Sequence, residues 1–521
     1  MRIKWILAGV FGTSAIAAAS PSLQFYTVIN EGDSIAGDQF FAADQVVVGD
    51  GGVVGMVGAL LNSGNNIVIY STPAAGNTWN SQSVVETDAQ YESFDNLALT
   101  GNPLFTGGLS TGQTRLTFAA VSPSDQAGIL QWDDNAGVTS LGDVAFEGDG
   151  KGYSSIGSDG TDSGGGTLEM QVNGSGQVLF PAVASPPALA TSTDVLALGD
   201  VSSVPTATPI FKSSSPGLAI SDPGSRVALG ADGSGAALLS NSGTPGVYNI
   251  PAGGGTPTPV SLPGSLVPIH DTPDFQGEPV MGYASSLNAT LVLATNSSST
   301  SDDIVLSKNG SPSILVGPFT PGSGAPGVPQ GEMSPDGRIA VYVPDNSGAD
   351  DTIQYADAAS LSPVATPVAS IGEPALDSGG TSRIIEAVQE AGLNWVPQIN
   401  DSGTIAFLAE VSTSLTDLTP ETALLDWQPG DLSPTVLLWE NETVNIGGQP
   451  ETISDLYFNQ LAEENDFYKN ALSDDGYLAV GVAYDDYNGA AVLITQVPEP
   501  ATMALLPIIG VGLLARRKRQ R

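Results

Sequence analysis

The sequence predicts an all-β protein, a β-propeller of about six to eight four-stranded blades. Its 521 residues include 63 Gly and 37 Pro, and the apolar runs between these turn formers are short, which is typical of many short strands. An eight-residue unit also recurs along the chain. From residue 173 onward most copies start roughly 50–75 residues apart, enough for one blade with its loops. The alternative is a row of tandem β-sandwich domains.

The clearest copy of the unit is residues 400–407, with the sequence Asn-Asp-Ser-Gly-Thr-Ile-Ala-Phe. Residues 173–180, 334–341 and 473–480 keep its offsets, residues 49–56 and 221–228 are looser copies, and a weak candidate lies near Asn288. The turn positions of the four best copies are Asn173, Gly176, Ser334, Gly337, Asn400, Gly403, Ser473 and Gly476.

Each unit is predicted to be a turn that leads into a strand. An Asn or Ser side chain at the first position can bond to the turn backbone, and Gly at the fourth tolerates a positive φ. After the turn, Ile405 and Phe407 alternate with Ala406. Bulky residues on one face and Ala on the other suit a strand that is covered on both sides, because Ala lets a neighbouring sheet approach closely.

Between the copies, residues 128–132, 303–306 and 436–439 are each followed by turn residues and predict a strand, a hairpin and a second strand. Residues 383–391 and 453–471 are the two segments with helical periodicity. Stretches rich in Pro, Gly, Ser and Ala at 242–265, 311–329 and 356–380 would be linkers between separate domains. In a single ring, which we favour, they are loops.

The repeats resemble those of the bacterial choice-of-anchor tandem repeat NxxGxxAF-containing proteins, which take their description from this unit. Residues 27–37 are similar to the Gly-Asp-x-x-x-Gly segment that precedes a repeat in those proteins. Separately, residues 334–342 (SPDGRIAVY) resemble the blade signature of the TolB-like propellers. Both resemblances imply a repeat-built β domain, which we expect to span residues 20–496.

The composition excludes several function classes. The formal net charge is −40, and only eight basic residues lie between the two ends of the chain: Arg115, Lys151, Lys212, Arg226, Lys308, Arg338, Arg383 and Lys469. Nucleic acids and anionic lipids attract Lys and Arg, so we expect neither as a partner of the body. The chain has no Cys and a single His, His270, which excludes disulfides, thiolate metal sites and multi-histidine metal sites.

Acidic loops at residues 149–166, 345–351 and 474–476 supply oxygen ligands of the kind that calcium prefers. None has the spacing of a full EF-hand loop or of the glycine-aspartate nonapeptide repeat, so the expectation is no cofactor, with structural calcium as the alternative. We assign no catalytic residue. The enzymatic alternative is a polysaccharide hydrolase or lyase that uses paired carboxylates. For a binding protein, the aromatic candidates for stacking on sugars are Trp79, Trp132, Trp395, Trp427 and Trp439, of which Trp132 and Trp439 are expected in the core or at a blade edge.

The first 19 residues predict a secretory signal peptide. Arg2 and Lys4 precede an apolar run at residues 5–16, and Ala17, Ala19 and Ser20 form the expected cleavage site for signal peptidase. The alternative is a buried N-terminal helix. A cleaved leader makes the protein an exported one.

The last 25 residues combine an apolar run at 501–515 with the basic residues Arg516, Arg517, Lys518, Arg519 and Arg521. As a helix the apolar run measures about 22 Å, which is short of the ~30 Å hydrocarbon core of a membrane. Basic residues after such a helix stay in the cytoplasm and hold the acidic body outside. The simplest interpretation is a transmembrane helix that anchors the protein permanently.

Residues 497–521 resemble the PEP-CTERM sorting signal more fully. Val497, Pro498, Glu499 and Pro500 come first, followed by the short apolar segment and the Arg-rich end. The resemblance implies recognition by an exosortase, a membrane protease-transpeptidase, with cleavage near Pro-Glu-Pro and loss of the tail. It also implies a Gram-negative-type bacterium that makes exopolysaccharide, which becomes a candidate partner. We therefore expect a structural or binding protein of the cell surface, outer envelope or extracellular biofilm matrix.

Overall fold

The structure is a computed structural model, and it describes 22 stretches of the chain. They are residues 25–75, 78–88, 108–109, 115–121, 127–133, 137–143, 153–156, 170–184, 193–200, 204–214, 217–220, 227–269, 280–296, 302–319, 329–344, 351–377, 380–388, 397–413, 419–446, 448–457, 471–484 and 489–496. These stretches contain 39 β-strands, two single 3₁₀ turns (Asp50–Gly52 and Ser285–Leu287) and no α-helix. The predicted fold class is confirmed.

The strands form eight sheets, which are the blades of a β-propeller. Seven blades are each built from one continuous part of the chain. Blade 1 consists of β2 (Ser34–Ile35), β3 (Asp38–Gly49), β4 (Val53–Leu60), β5 (Asn66–Ala74) and β6 (Thr78–Glu86), and blade 2 consists of β7 (Gly108–Leu109), β8 (Arg115–Val121), β9 (Ala127–Asp133) and β10 (Gly137–Asp143). Blade 3 consists of β11 (Tyr153–Ile156), β12 (Gln171–Val172), β13 (Val178–Ala184), β14 (Thr193–Asp200) and β15 (Val204–Lys212). Blade 4 consists of β16 (Leu218–Ile220), β17 (Val227–Leu229), β18 (Gly235–Asn241), β19 (Thr244–Ile250) and β20 (Thr258–Pro259).

Blades 5 to 7 follow the same plan. Blade 5 consists of β21 (Val267–Pro268), β22 (Val280–Ala284), β23 (Ala289–Thr295), β24 (Asp302–Lys308) and β25 (Ser311–Phe319). Blade 6 consists of β26 (Gln330–Met333), β27 (Arg338–Val343), β28 (Thr352–Asp357) and β29 (Thr366–Ser370). Blade 7 consists of β30 (Pro374–Asp377), β31 (Ser382–Ala387), β32 (Gln398–Ile399), β33 (Ile405–Ser412), β34 (Glu421–Trp427) and β35 (Thr435–Trp439).

An eighth sheet closes the ring because it joins both ends of the described chain. It holds β36 (Thr443–Ile446), β37 (Gln449–Tyr457), β38 (Tyr477–Tyr484) and β39 (Gly489–Gln496), and its outermost strand is β1 (Phe25–Thr27). Strand β1 runs antiparallel to β39, with Phe25 opposite Thr495 and Thr27 opposite Leu493. The N-terminal strand thereby fixes blade 8 next to blade 1.

Eight apolar clusters hold the ring together, one between each pair of neighbouring blades. The second strand of a blade contributes to two of them. In β33, Ile405 and Phe407 pack against blade 6, whereas Ala406 packs against blade 8. All three are buried. The alternation expected from the sequence is confirmed, and the small Ala side chain faces the following blade.

The two segments with helical periodicity are strands where the structure describes them, so the helix predictions at residues 383–387 and 453–457 are wrong. Ile385 lies opposite Val411 of β33 and is buried, an environment that favours β-branched residues in a sheet. In β37 a bulge between Ile453 and Asp455 shifts the alternation, so Ile453 and Leu456 both point into the core three residues apart. Apolar residues three positions apart also lie on one face of an α-helix, which is why the sequence pattern predicted a helix here. Residues 389–391 and 458–470 lie outside the described residues.

Two of the three predicted hairpins are present, as β9–β10 and β24–β25. The third is wrong, since β35 pairs within blade 7 and β36 within blade 8, and residues 440–442 connect the two blades. The linker-like stretches at 242–265 and 311–329 contain strands of blades 4 and 5, and the stretch at 356–380 contains strands of blades 6 and 7. They contribute strands to one ring, so the expectation of linkers or loops is wrong for these strand residues. Several predicted features lie outside the described part of the chain: the signal peptide, His270, the C-terminal apolar segment and residues 345–350. Of the acidic loop at 149–166, only residues 153–156 are described.

Candidate functional site

The repeated turns share one hydrogen-bonding pattern at the junction of the inner and second strands. In each copy the amide of the fourth residue donates to the carbonyl of the first, at distances of 2.8–3.1 Å. The copies with this bond are residues 173–176, 230–233, 285–288, 334–337, 400–403 and 473–476. The fourth residue has a positive φ, as at Gly403 (φ 87°) and at Asn288 (φ 44°). Asn tolerates this left-handed conformation better than most residues, which explains the weak copy there.

The structure relocates one predicted copy. In blade 4 the turn is residues 230–233 (Gly-Ala-Asp-Gly), directly before β18, rather than the loose match at 221, where residues 221–226 lie outside the described part. Gly230 stands where Asn is expected, which hid the copy in the sequence. The copy at residue 49 also precedes a second strand, β4, and its Gly52 has φ 72°.

Where the first residue is Asn, its side chain links neighbouring blades. Asn400 accepts hydrogen bonds at Oδ1 from the Thr404 amide (3.0 Å) and the Ser402 hydroxyl (2.7 Å). Its Nδ2 donates to the carbonyl oxygen of Ser473 in the next blade, at 3.0 Å. Asn173 Nδ2 reaches the Gly230 carbonyl at the same distance. Each Asn thus fixes its own turn and also binds the turn of the next blade.

We call the end of the ring that carries these turns the turn face. Carboxylates from four consecutive blades meet there: Asp336 in blade 6, Asp401 in blade 7, Asp474 and Asp475 in blade 8, and Asp50 in blade 1. We call these five residues the acid cluster. They occupy the second or third position of their turns, and no local pattern in the sequence shows that they come together.

Backbone amides connect the acid cluster from blade to blade. Asp401 Oδ1 accepts from the Asp336 amide at 2.9 Å, and Asp474 Oδ1 accepts from the Asp401 amide at 3.1 Å. Asp475 Oδ2 accepts from the amide of Gly51 at 2.7 Å, which carries the series across the closure of the ring. Three carboxylates are therefore fixed by donors from a neighbouring blade.

Two residues of the acid cluster, Asp474 and Asp50, have raised pKa values. Burial raises the pKa of Asp474 to about 6, and the carboxylates of Asp401, Asp50 and Asp336 add to the effect. Burial also raises the pKa of Asp50, with Asp475 as the next cause. The charges that act on both groups are like charges, which disfavour ionisation. The cluster can therefore hold a proton near neutral pH.

Three basic side chains on the turn face have partners outside the acid cluster. Arg115 forms an ion pair with Asp133 at 3.3 Å, and Arg338 contacts Asp357. Lys308 Nζ donates to the carbonyl of Ala358 in the next blade at 2.6 Å. Within the described residues, no group of three or more Asp, Glu or His side chains has the geometry of a metal site.

A second buried carboxyl lies near the turn face in blade 7. Asp426, at the end of β34, is 4% exposed, and its Oδ1 has no hydrogen-bond partner within the described structure. Burial, followed by the nearby Asp431, raises the pKa of Asp426 to about 8. Sequence analysis did not identify Asp426, because its buried position depends on how β34 pairs with its neighbours.

None of the four Trp side chains that the structure describes is fully exposed, so they offer no open platform for sugars. Trp132 and Trp427 are each 8% exposed and pack on Tyr70 and Tyr355, with ring centroids 4.4 and 5.2 Å apart. Trp79 Nε1 donates to the Gly52 carbonyl at 2.9 Å.

Arg383 lies over the ring of the half-buried Trp439, 4.2 Å from its centroid. Placement of Trp132 in the core is confirmed, and Trp395 lies outside the described residues.

The processing residues at both ends also lie outside the described residues: Ala17, Ala19, Ser20, Val497, Pro498, Glu499, Pro500, Arg516, Arg517, Lys518 and Arg519. The structure does place the end of the last described strand. Strand β39 ends at Gln496, the residue before Val497. Across the stretches that the structure describes, no helix is long and apolar enough to span a membrane.

No protein-family model and no curated protein matches the sequence. Several solved structures align with the chain at low identity and with TM-scores below 0.5. A β-propeller domain of the Trilobed protease from Pyrococcus furiosus aligns with a TM-score of 0.40 and 10% identity, over 82% of this chain and 98% of that one. TolB from Acinetobacter baumannii aligns with a TM-score of 0.33 and 13% identity, over 74% and 81%.

A prolyl endopeptidase aligns with a TM-score of 0.43 and 11% identity, over 76% of this chain. The chain spans only 49% of the length of that enzyme. Similarity at this level concerns the arrangement of strands and says nothing about activity.

Proposed function

We propose that this protein is exported and serves a structural or ligand-binding role at the cell surface or in the extracellular matrix of a Gram-negative-type bacterium. Its C-terminal segment from Val497 is a removable sorting signal for an exosortase-type membrane protease. One observation carries the proposal: the last strand of the ring ends at Gln496, and the Val-Pro-Glu-Pro motif begins at the next residue.

This boundary makes the tail dispensable for the fold. Strand β39 completes its pairing with β38 at Gln496, which lies opposite Tyr477. Pro498 and Pro500 have no amide hydrogen and cannot extend the ladder. A cut within residues 497–500 therefore removes none of the described strands, and proline favours an extended conformation in the residue before it, which suits recognition by a protease.

The geometry of the acid cluster favours a structural or binding role over catalysis. Asp401, Asp474 and Asp475 each accept a hydrogen bond from the backbone of a neighbouring blade. Carboxylates in this position join the turns of the ring, and the body around them is a rigid support for the loops of its two faces.

Mass spectrometry of the mature protein from the cell surface tests the proposal. The expected C-terminus lies within residues 497–500, and replacement of Pro498, Glu499 and Pro500 by Ala should leave the tail attached. The matched control is Thr502→Ala, beyond the motif, which should be processed like the wild type. An intact Arg-rich end on the wild-type surface protein would contradict removal and leave a permanent membrane anchor.

A polysaccharide-degrading enzyme is the second candidate, and one observation favours it. Burial and the neighbouring carboxylates raise the pKa of Asp474 to about 6, and a carboxyl group with a raised pKa beside other carboxyl groups can serve as a general acid. Incubation with a panel of exopolysaccharides should release no reducing sugar under our proposal. Release that disappears in both Asp474→Asn and Asp401→Asn would establish the enzyme instead.

A further inference from the structure

We infer that the turn face is the side of the propeller that faces the membrane while either terminal segment is still attached, so that its partner during export is the lipid surface. The inference rests on the proposed function, because it takes the leader and the tail to be membrane segments. The orientation itself comes from the strand pairing of blade 8.

Both ends of the described chain leave blade 8 at the turn face. Gln496 lies opposite Tyr477, which directly follows the turn at residues 473–476. Phe25 lies opposite Thr495, so the N-terminal strand starts at the same end of the sheet. The two ends of the described chain lie side by side because one strand from each of them, β1 and β39, closes the ring.

The connections to the membrane segments are short. Four residues, 497–500, separate Gln496 from the apolar run, and fully extended they reach at most about 14 Å. Five residues, 20–24, precede Phe25 and reach about 18 Å. The seven residues of β18 alone extend about 24 Å at 3.4 Å per residue, so the opposite face lies beyond that reach.

Electrostatic attraction does not explain this orientation. The turn face carries the acid cluster, and anionic lipid headgroups repel carboxylates. The tethers alone therefore hold the turn face near the membrane. Once both ends have been cut, the body should have no affinity for an anionic bilayer, which suits release to the surface or matrix.

Blade 4 provides a matched pair of labelling sites, and it lies across the ring from blade 8, with three blades between them on either side. Ala231 is an exposed residue of the turn at 230–233, on the turn face. Ser242 is exposed in the hairpin between β18 and β19, at the other end of the same strand. Since the chain has no Cys, a dye on Ala231→Cys or Ser242→Cys marks one position only.

The experiment reconstitutes each labelled full chain in vesicles of phosphatidylethanolamine and phosphatidylglycerol that contain a headgroup-linked acceptor dye. Energy transfer from position 231 should exceed that from position 242 roughly twofold or more, because one strand length separates the two sites. Equal transfer, or more from position 242, would overturn the inference, since the body would then face the membrane edge-on or inverted.

A chain of residues 20–496, which lacks both the leader and the tail, separates this inference from the proposed function. It should unfold at the same temperature as the full chain and show no energy transfer at either position. If the full chain also fails to bind vesicles, the tail is not a membrane segment and the proposed function fails with it. If the full chain binds and the truncated chain does not, the comparison of positions 231 and 242 tests the orientation alone.

Discussion

The side-chain amide of Asn400 donates a hydrogen bond to the backbone carbonyl of Ser473, 3.0 Å away in the next blade. The same carbonyl accepts the Gly476 amide within its own turn, at 3.1 Å. A carbonyl has two lone pairs, so one oxygen can serve both turns. This relationship gives the repeated Asn a role between blades in addition to its role within the turn.

Asn400→Ala should lower the free energy of unfolding by about 1–3 kcal/mol, because the buried Thr404 amide and the Ser473 carbonyl each lose a partner. Urea unfolding followed by Trp fluorescence measures the change. Asn241→Ala, in an exposed hairpin, is the matched control and should change stability by less than about 0.5 kcal/mol. Equal effects in the two variants would show that the link between blades contributes nothing.

Ser334→Asn should raise the free energy of unfolding by about 0.5–1.5 kcal/mol. The Ser334 hydroxyl accepts from the Arg338 amide at 3.2 Å, but it is too short to reach blade 7. By analogy with Asn400 and Ser473, an Asn at 334 would donate to the Asn400 carbonyl. The gain in stability should persist in an Asn400→Gly background, because Gly keeps the backbone carbonyl at position 400. Ser334→Gln, whose side chain is one methylene longer than that of Asn, should not raise the stability. A loss of stability in Ser334→Asn would refute the assignment.

Asp474→Asn should stabilise the protein at pH 7 by on the order of 1 kcal/mol in low salt, and by less in 1 M salt. The amide oxygen of Asn can still accept from the Asp401 amide, while one charge of the acid cluster is removed. Thermal unfolding at both salt concentrations provides the measurement. Asp232→Asn, in a blade 4 turn outside the cluster, is the control and should show no gain. A gain that does not depend on salt would argue against charge repulsion.

Asp426→Asn should remove a pH dependence of stability between about pH 4 and pH 8. Burial raises the pKa of Asp426 to about 8 in the folded chain, above its unfolded value, so the unfolded chain releases the proton first as the pH rises. The Asp426 contribution is complete below the unfolded pKa and is lost as the pH passes through the folded value. The variant should therefore be increasingly more stable than the wild type from pH 5 to pH 9.

Urea unfolding of both proteins at pH 5, 7 and 9 gives this difference directly, and the titration of all other groups cancels. Asp431→Asn, which changes the neighbouring carboxyl, should produce a smaller effect of the same sign. A constant difference across the three pH values would mean that Asp426 does not titrate in this range.

Much of the fold was accessible from the sequence because its signals are local. The turn at Asn400 and Gly403 and the alternation of Ile405, Ala406 and Phe407 follow from the conformations of single residues and from burial on both faces of a strand. Local signals failed where pairing altered the periodicity. The bulge in β37 placed Ile453 and Leu456 on one side, and the Gly230 turn lacked the Asn that identifies the other copies.

The sequence by itself determined the class of fold, the repeated turn and the position of the Val-Pro-Glu-Pro motif, since each depends on residues that are close in the chain. Only the tertiary structure decided that Asp50, Asp336, Asp401, Asp474 and Asp475 meet at one face, because residues more than 400 positions apart become neighbours only when the ring closes. Closure through β1 and β39 likewise decided that both chain ends leave the same blade at that face. The physical reason is that strand pairing across the two termini satisfies their backbone hydrogen bonds, and no local pattern records which strands will pair.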